Sequence, residues 1–100
     1  MKVRLSRAGL RLRLTGADVS SLGLGHTVTE RTPFPNGVFE CSLTAVPEGI
    51  AARLTERGIV VTIPTASLAD LEAGGAVKAD LQTPGEAIHL LVEKDRRPDP

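Results

Sequence analysis

The chain is nearly without aromatic side chains: Phe34 and Phe39 are its only two, and it has neither Trp nor Tyr. Stacking of bases or sugars therefore has little to rest on, which argues against single-stranded nucleic acid or carbohydrate as a ligand. A single cysteine, Cys41, excludes an internal disulfide. No apolar run approaches the roughly 20 residues of a membrane span. The opening Met1-Lys2-Val3-Arg4-Leu5 alternates charge with apolar residues, unlike the continuous apolar stretch of a signal peptide. Net charge is also lacking, with 12 basic against 12 acidic side chains. These absences point to a cytoplasmic protein that neither enters a membrane nor serves as a dedicated nucleic-acid binder.

What is present is ordinary in amount and unusual in arrangement. Of 100 residues, 41% are apolar and 24% charged, as in a single globular domain. Gly9 and Gly58 lie 49 positions apart, and a shift of that size aligns the two halves without a gap, giving eight identities over 51 paired positions. Chance would give roughly four, so the pattern matters more than the count. Leu10, Leu12 and Leu14 fall on Ile59, Val61 and Ile63, while Phe39, Cys41 and Leu43 fall on Ile88, Leu90 and Val92. The reading is a duplicated unit, residues 1–49 and 50–95, folded as one domain with a charged, solvated tail. The tail is taken to begin at Glu93, and 96–100 lie beyond the domain.

Period-2 alternation predicts strands at Val3–Leu5 and Leu10–Leu14, joined by a turn at Arg7-Ala8-Gly9. Thr15, three residues before Asp18, reads as a helix N-cap, and Gly23–Gly25 as that helix's stop. A strand is expected around Val28, a loop over Pro33–Gly37, and a strand over Val38–Leu43 with Phe39, Cys41 and Leu43 inward. The second half repeats the order: strands at Ile50–Leu54 and Ile59–Ile63, a helix opening at Pro64-Thr65, then strands at Val77–Leu81 and Ile88–Val92. The fold class is thus α+β: a duplicated strand-strand-helix-strand-strand unit forming a mainly antiparallel, pseudo-twofold sheet or small barrel with two short helices. The expected core comprises Leu12, Leu14, Val19, Leu22, Phe39, Leu43, Val61, Ile63, Leu68, Leu71, Leu90 and Val92.

The start Met1-Lys2-x-Arg4, the run Arg11-Leu12-Arg13-Leu14-Thr15 and the close Leu91-Val92-Glu93-Lys94-Asp95 resemble an uncharacterised family of short bacterial proteins, a domain of unknown function. Val19, Leu22, Glu30-x-Thr32-x-Phe34 and Ile63-Pro64 fit it too. The resemblance implies a bacterial, cytoplasmic, globular protein and carries no activity or site.

The most distinctive polar feature is basic. Lys2, Arg4, Arg7, Arg11 and Arg13 all precede the first acidic residue, Asp18. Alternation places Lys2 and Arg4 on one face of the first strand and Arg11 and Arg13 on one face of the second. A hairpin would gather these four into a guanidinium-rich binding patch for phosphate or carboxylate. The bland alternative is a solvated face whose arginines pair with acids of a neighbouring strand. In the second half, Val60 and Thr62 replace Arg11 and Arg13, so the repeat itself does not require the patch.

Catalytic residues are not indicated. The chain has no Gly-x-Ser-x-Gly elbow, no His-Glu-x-x-His and no P-loop. His89 and Glu93 share a strand face but stand about 13 Å apart, too far to bind one metal. Cys41, His26 and His89 therefore read as structural, and no cofactor or metal is expected. Two functions from different classes follow. One is a non-enzymatic interaction module that binds an acidic protein or a second copy of itself. The alternative is a small enzyme or ligand-binding barrel with its site on the pseudo-twofold axis, which polar residues from both halves would have to line.

Overall fold

The computed structural model describes residues 1–95. Eight strands and two short α-helices make up the chain among these residues: β1 (Lys2–Ser6), β2 (Gly9–Leu14), α1 (Gly16–Gly23), β3 (Val28–Phe34), β4 (Gly37–Val46), β5 (Ala51–Thr55), β6 (Gly58–Pro64), α2 (Leu68–Glu72), β7 (Ala76–Leu81) and β8 (Ile88–Lys94). A 3₁₀ turn over Thr65–Ser67 leads into α2. The strands form two four-stranded sheets, ordered β1-β2-β8-β7 and β3-β4-β6-β5. We call these the first and the second sheet.

Both sheets are mixed. The hairpins β1–β2, β3–β4, β5–β6 and β7–β8 are antiparallel, but each sheet is joined through its middle by a parallel pair, β2–β8 or β4–β6. The expectation of a mainly antiparallel arrangement holds only for the hairpins. The barrel alternative is overturned, because the strands stay in two separate sheets and never close into one. The residue spacing carries over from one sheet to the other. Gly9 faces His89 and Leu12 faces Val92 across β2–β8, while Gly58 faces Glu40 and Val61 faces Leu43 across β4–β6. Each residue of the second set is offset from its counterpart by 49.

The core follows from strand alternation. Leu10, Leu12 and Leu14 of β2, with Leu90 and Val92 of β8, join Cys41, Leu43, Ile59, Val61 and Ile63 of the second sheet in one buried cluster. Val19 and Leu22 of α1, Val28 of β3, Leu71 of α2 and Val77 of β7 complete it, and the two helices pack against each other. Helix α1 starts as its sequence dictates: Thr15 Oγ1 accepts from the Asp18 N–H at 3.0 Å, and the Thr15 N–H donates to the Asp18 carboxylate at 2.9 Å. The Met1 amine lies 2.9 Å from the same carboxylate.

Several sequence expectations need correction. The Pro33–Gly37 segment is mostly strand, with Pro33 and Phe34 in β3 and only Pro35-Asn36 turning. Pro33 is tolerated because β3 is an edge strand, where one side asks for no N–H donor. Phe39 is not a core residue: it is 36% exposed, since β4 runs past the end of the shared core there. Leu68 is only half-buried. The tail does not begin at Glu93, because β8 continues to Lys94 and the Asp95 N–H donates to the Leu14 carbonyl at 2.7 Å. The expected solvated tail at 96–100 lies outside the described residues.

Candidate functional site

Hairpin β1–β2 places the four basic candidates face to face. Lys2 stands opposite Arg13 and Arg4 opposite Arg11. Like charges directly opposed on antiparallel strands repel, and the neighbouring strand supplies relief. Glu93 of β8, in register with Arg13, accepts from Arg11 Nε at 3.0 Å, Arg11 Nη2 at 2.6 Å and Arg13 Nε at 3.1 Å, all on one oxygen. Partial burial works to raise the Glu93 pKa, but the hydrogen bonds and charges of Arg11 and Arg13 outweigh it and hold the carboxyl below its ordinary range.

One acid therefore answers two of the four cations. Among the described residues no ion pair involves Lys2 or Arg4. All four, with Val3, line an open cleft of about 250 Å³. The bland alternative from the sequence, arginines paired with an acid on the next strand, thus describes Arg11 and Arg13 and leaves Lys2 and Arg4 out.

A second depression of about 320 Å³ adjoins this cleft, sharing Arg4 and Arg11 and adding Ser6, Gly9 and His89. His89, read as structural, lies exposed on this outer face, where its Nδ1–H donates to the Asp80 carboxylate of β7. No local pattern announces this placement, because only the parallel β2–β8 pairing carries His89 beside Gly9. His26 sits in the exposed connection between α1 and β3. Cys41 is buried on the inner face of the second sheet, remote in topology from His89. Among the described residues no group of three or more His, Cys, Asp or Glu side chains could hold a metal.

Where the two sheets meet at the helix-free end, a third feature is apolar. Leu5, Leu10 and Ile88 of the first sheet and Ala52, Leu54 and Ile59 of the second line a groove of about 300 Å³, with Arg53 its only charged neighbour. Leu5 and Leu54 are 64% and 83% exposed. Leu54 also borders a neighbouring depression lined by Phe34, Val38 and Phe39, so both aromatic residues of the chain are exposed here.

These features define a mixed two-sheet α+β protein with a basic outer face and an apolar end. No helix among the described residues is long and apolar enough to cross a membrane. The chain belongs to the family of unknown function DUF7009, which matches residues 1–97. No curated protein and no solved structure matches it.

Proposed function

We propose that the protein is a non-enzymatic interaction module of the bacterial cytoplasm, and that the outer face of its first sheet docks an acidic protein segment. One observation carries this: Lys2, Arg4, Arg11 and Arg13 line a single open cleft in which Glu93 is the one acid paired to them. Guanidinium groups suit carboxylates, and a face with surplus positive charge attracts acidic chains over distance. We read the domain as two copies, 1–49 and 50–95, a reading supported by strand pairings that repeat at the same offset. The two outer faces have diverged, since Val60 and Thr62 stand where Arg11 and Arg13 do.

The test is fluorescence anisotropy with a labelled octaglutamate peptide. Binding should weaken as salt rises from 20 to about 200 mM, because exposed charge contacts are screened. The Lys2→Ser/Arg4→Ser double variant, which disturbs no ion pair among the described residues, should lose it. Equal binding by wild type and variant would remove the proposal.

A second reading, self-association, is favoured by the apolar end. Five of its large hydrophobic residues, Leu5, Phe34, Val38, Phe39 and Leu54, are exposed on one region. Its rim carries charges of both signs, Arg57 and Glu56, so two copies can meet there without net repulsion. Sedimentation of wild type as a dimer and of Leu5→Ser/Leu54→Ser as a monomer supports it; a monomer at 100 μM wild type (about the weakest range of interest) overturns it.

A further inference from the structure

We infer that the depression formed by Arg4, Arg11, His89 and Ser6 receives a phosphoryl group carried on a peptide, so that the acidic segment is a phosphorylated one. The inference rests on the proposed basic-face function and narrows it.

Geometry sets this depression apart from the rest of the face. Ser6, Gly9, His89 and Asp80 fall in one row across the four strands, by the registers Ser6–Gly9, Gly9–His89 and His89–Asp80. Gly9 contributes no side chain, so the row has a gap between Ser6 and His89 with bare backbone as its floor. The glycine is fixed there, because a Cβ would fall 2.1 Å from the His89 carbonyl oxygen. Arg4 and Arg11, one row along, close one side of the gap.

Four donor side chains line the depression. Arg4 has no ion-pair partner among the described residues, and Arg11 uses Nε and Nη2 on Glu93, which leaves Nη1. Asp80 occupies Nδ1 of His89, which leaves the Nε2 side of the ring. The Ser6 hydroxyl accepts from the Ala8 N–H at 3.2 Å and keeps its own proton to donate. No acid lines the depression. A tetrahedral dianion with several acceptor oxygens matches such a set better than one planar carboxylate does.

The second sheet supplies an internal comparison. At the positions offset by 49, Gly58 replaces Gly9 and Glu40 replaces His89. There Glu40 is held by Arg31 at 3.2 Å and Arg57 at 3.6 Å, and the depression lined by these residues also contains Glu56. That depression answers its own charge. On the first sheet Glu93 and Asp80 hold Arg11 and His89 from outside the depression, and no ion pair among the described residues answers Arg4.

The adjoining cleft adds a spacing rule. Lys2 and Arg13 lie one row beyond Arg4 and Arg11, two residues along the strands, or about 7 Å. Alternate side chains of an extended peptide have the same separation. A phosphorylated residue in the gap thus puts the side chain two positions away over Arg4 and Arg11 and the one four positions away beside Lys2 and Arg13, where an acid fits. A nucleic acid is the poorer occupant, because both Phe residues belong to the second sheet and the imidazole of His89, tied to Asp80, is the one ring lining the depression.

The experiment compares three labelled probes by anisotropy: a peptide with phosphoserine and a glutamate four positions on, the same peptide unphosphorylated, and a single-stranded RNA octamer. Phosphorylation should tighten binding about tenfold or more. His89→Gln/Ser6→Ala, checked for an unchanged melting curve, should erase that gain while leaving binding of the unphosphorylated peptide as it was. Equal affinity for the two peptides, or tighter binding of the RNA, overturns the inference. Loss of the unphosphorylated peptide alone, with the phosphopeptide still bound, supports it. If neither peptide binds, the basic-face function falls along with it.

Discussion

Gly9 lies flat against the backbone of His89, and no other residue type fits there. Its φ of +150° is one that side-chain-bearing residues rarely adopt, and an added Cβ would meet the His89 carbonyl oxygen at 2.1 Å. Gly58 repeats the relationship in the second sheet, with φ of +151° and a Cβ placed 2.0 Å from the Glu40 carbonyl oxygen. Both contacts are with backbone in the parallel seam of a sheet, where neither strand can yield alone. Gly9→Ala and Gly58→Ala should each cost about 3 kcal/mol or more, combining overpacking with strain. Gly25→Ala, at φ of +83° but in open space, should cost only about 1 kcal/mol. Urea denaturation of the three variants separates the cases, and similar midpoints for all three would refute the argument.

The core prediction concerns Leu12 and Val61, which are both 0% exposed at the middle of the two parallel seams. Truncation of either to Ala should cost about 2–4 kcal/mol from lost burial and the cavity left behind. Leu54→Ala, at 83% exposed, should change stability by no more than about 0.5 kcal/mol. Chemical denaturation of the monomer checks both, and a wild-type midpoint for Leu12→Ala would mean that β2 has its faces reversed.

Much of this core was legible because alternation is a local signal. Leu10-Arg11-Leu12-Arg13-Leu14 declares its buried face without reference to any partner strand. Thr15 and Asp18 declare the helix start in the same way, through bonds within one turn. Strand pairing is not local, which is why the parallel seams β2–β8 and β4–β6 could not be read from the chain and a barrel stayed open as an alternative. Phe39 misled for a related reason: its position in the alternation is inward, but β4 extends beyond the core there and leaves the ring partly in solvent. Of the candidate site, the four basic residues were visible from alternation alone. Glu93 as their counter-charge and His89 as their neighbour depend on the seam.

Acid should destabilise the fold through two carboxyls. Burial works to raise the Asp18 pKa, but the Met1 amine and the Thr15 hydrogen bonds lower it further, as the arginines do for Glu93. A carboxyl depressed in the folded state contributes stability above its unfolded value, 3.8 for Asp18 and 4.5 for Glu93, and loses it as pH falls through the folded value. The melting temperature should therefore hold near neutrality and begin to fall below about pH 5. Glu93→Gln should flatten that acid limb while costing only about 0.5 kcal/mol at pH 7, since the pair is partly exposed. A limb of unchanged slope in the variant would assign the acid sensitivity elsewhere.

Cys41 should behave as a core residue and resist chemistry at its sulfur. Its thiol is 1% exposed, inward on β4 between the two sheets. Burial, together with the Glu30 carboxylate opposite it on β3, pushes the thiol pKa up to about 11. A thiol raised in this way is protonated at neutral pH and is a poor nucleophile. Its contribution to stability is present below the unfolded value of 9.0 and is lost as pH rises toward 11. Labelling by a disulfide reagent at pH 7.5 (a pH at which the thiol stays protonated) should follow global unfolding and accelerate with urea along the denaturation curve. Cys41→Ala should be folded, slightly less stable and free of the alkaline loss between pH 9 and 11. Complete labelling of the native protein within seconds at neutral pH would show that the two sheets part at β4 far more readily than the buried cluster around Leu43 and Ile59 allows.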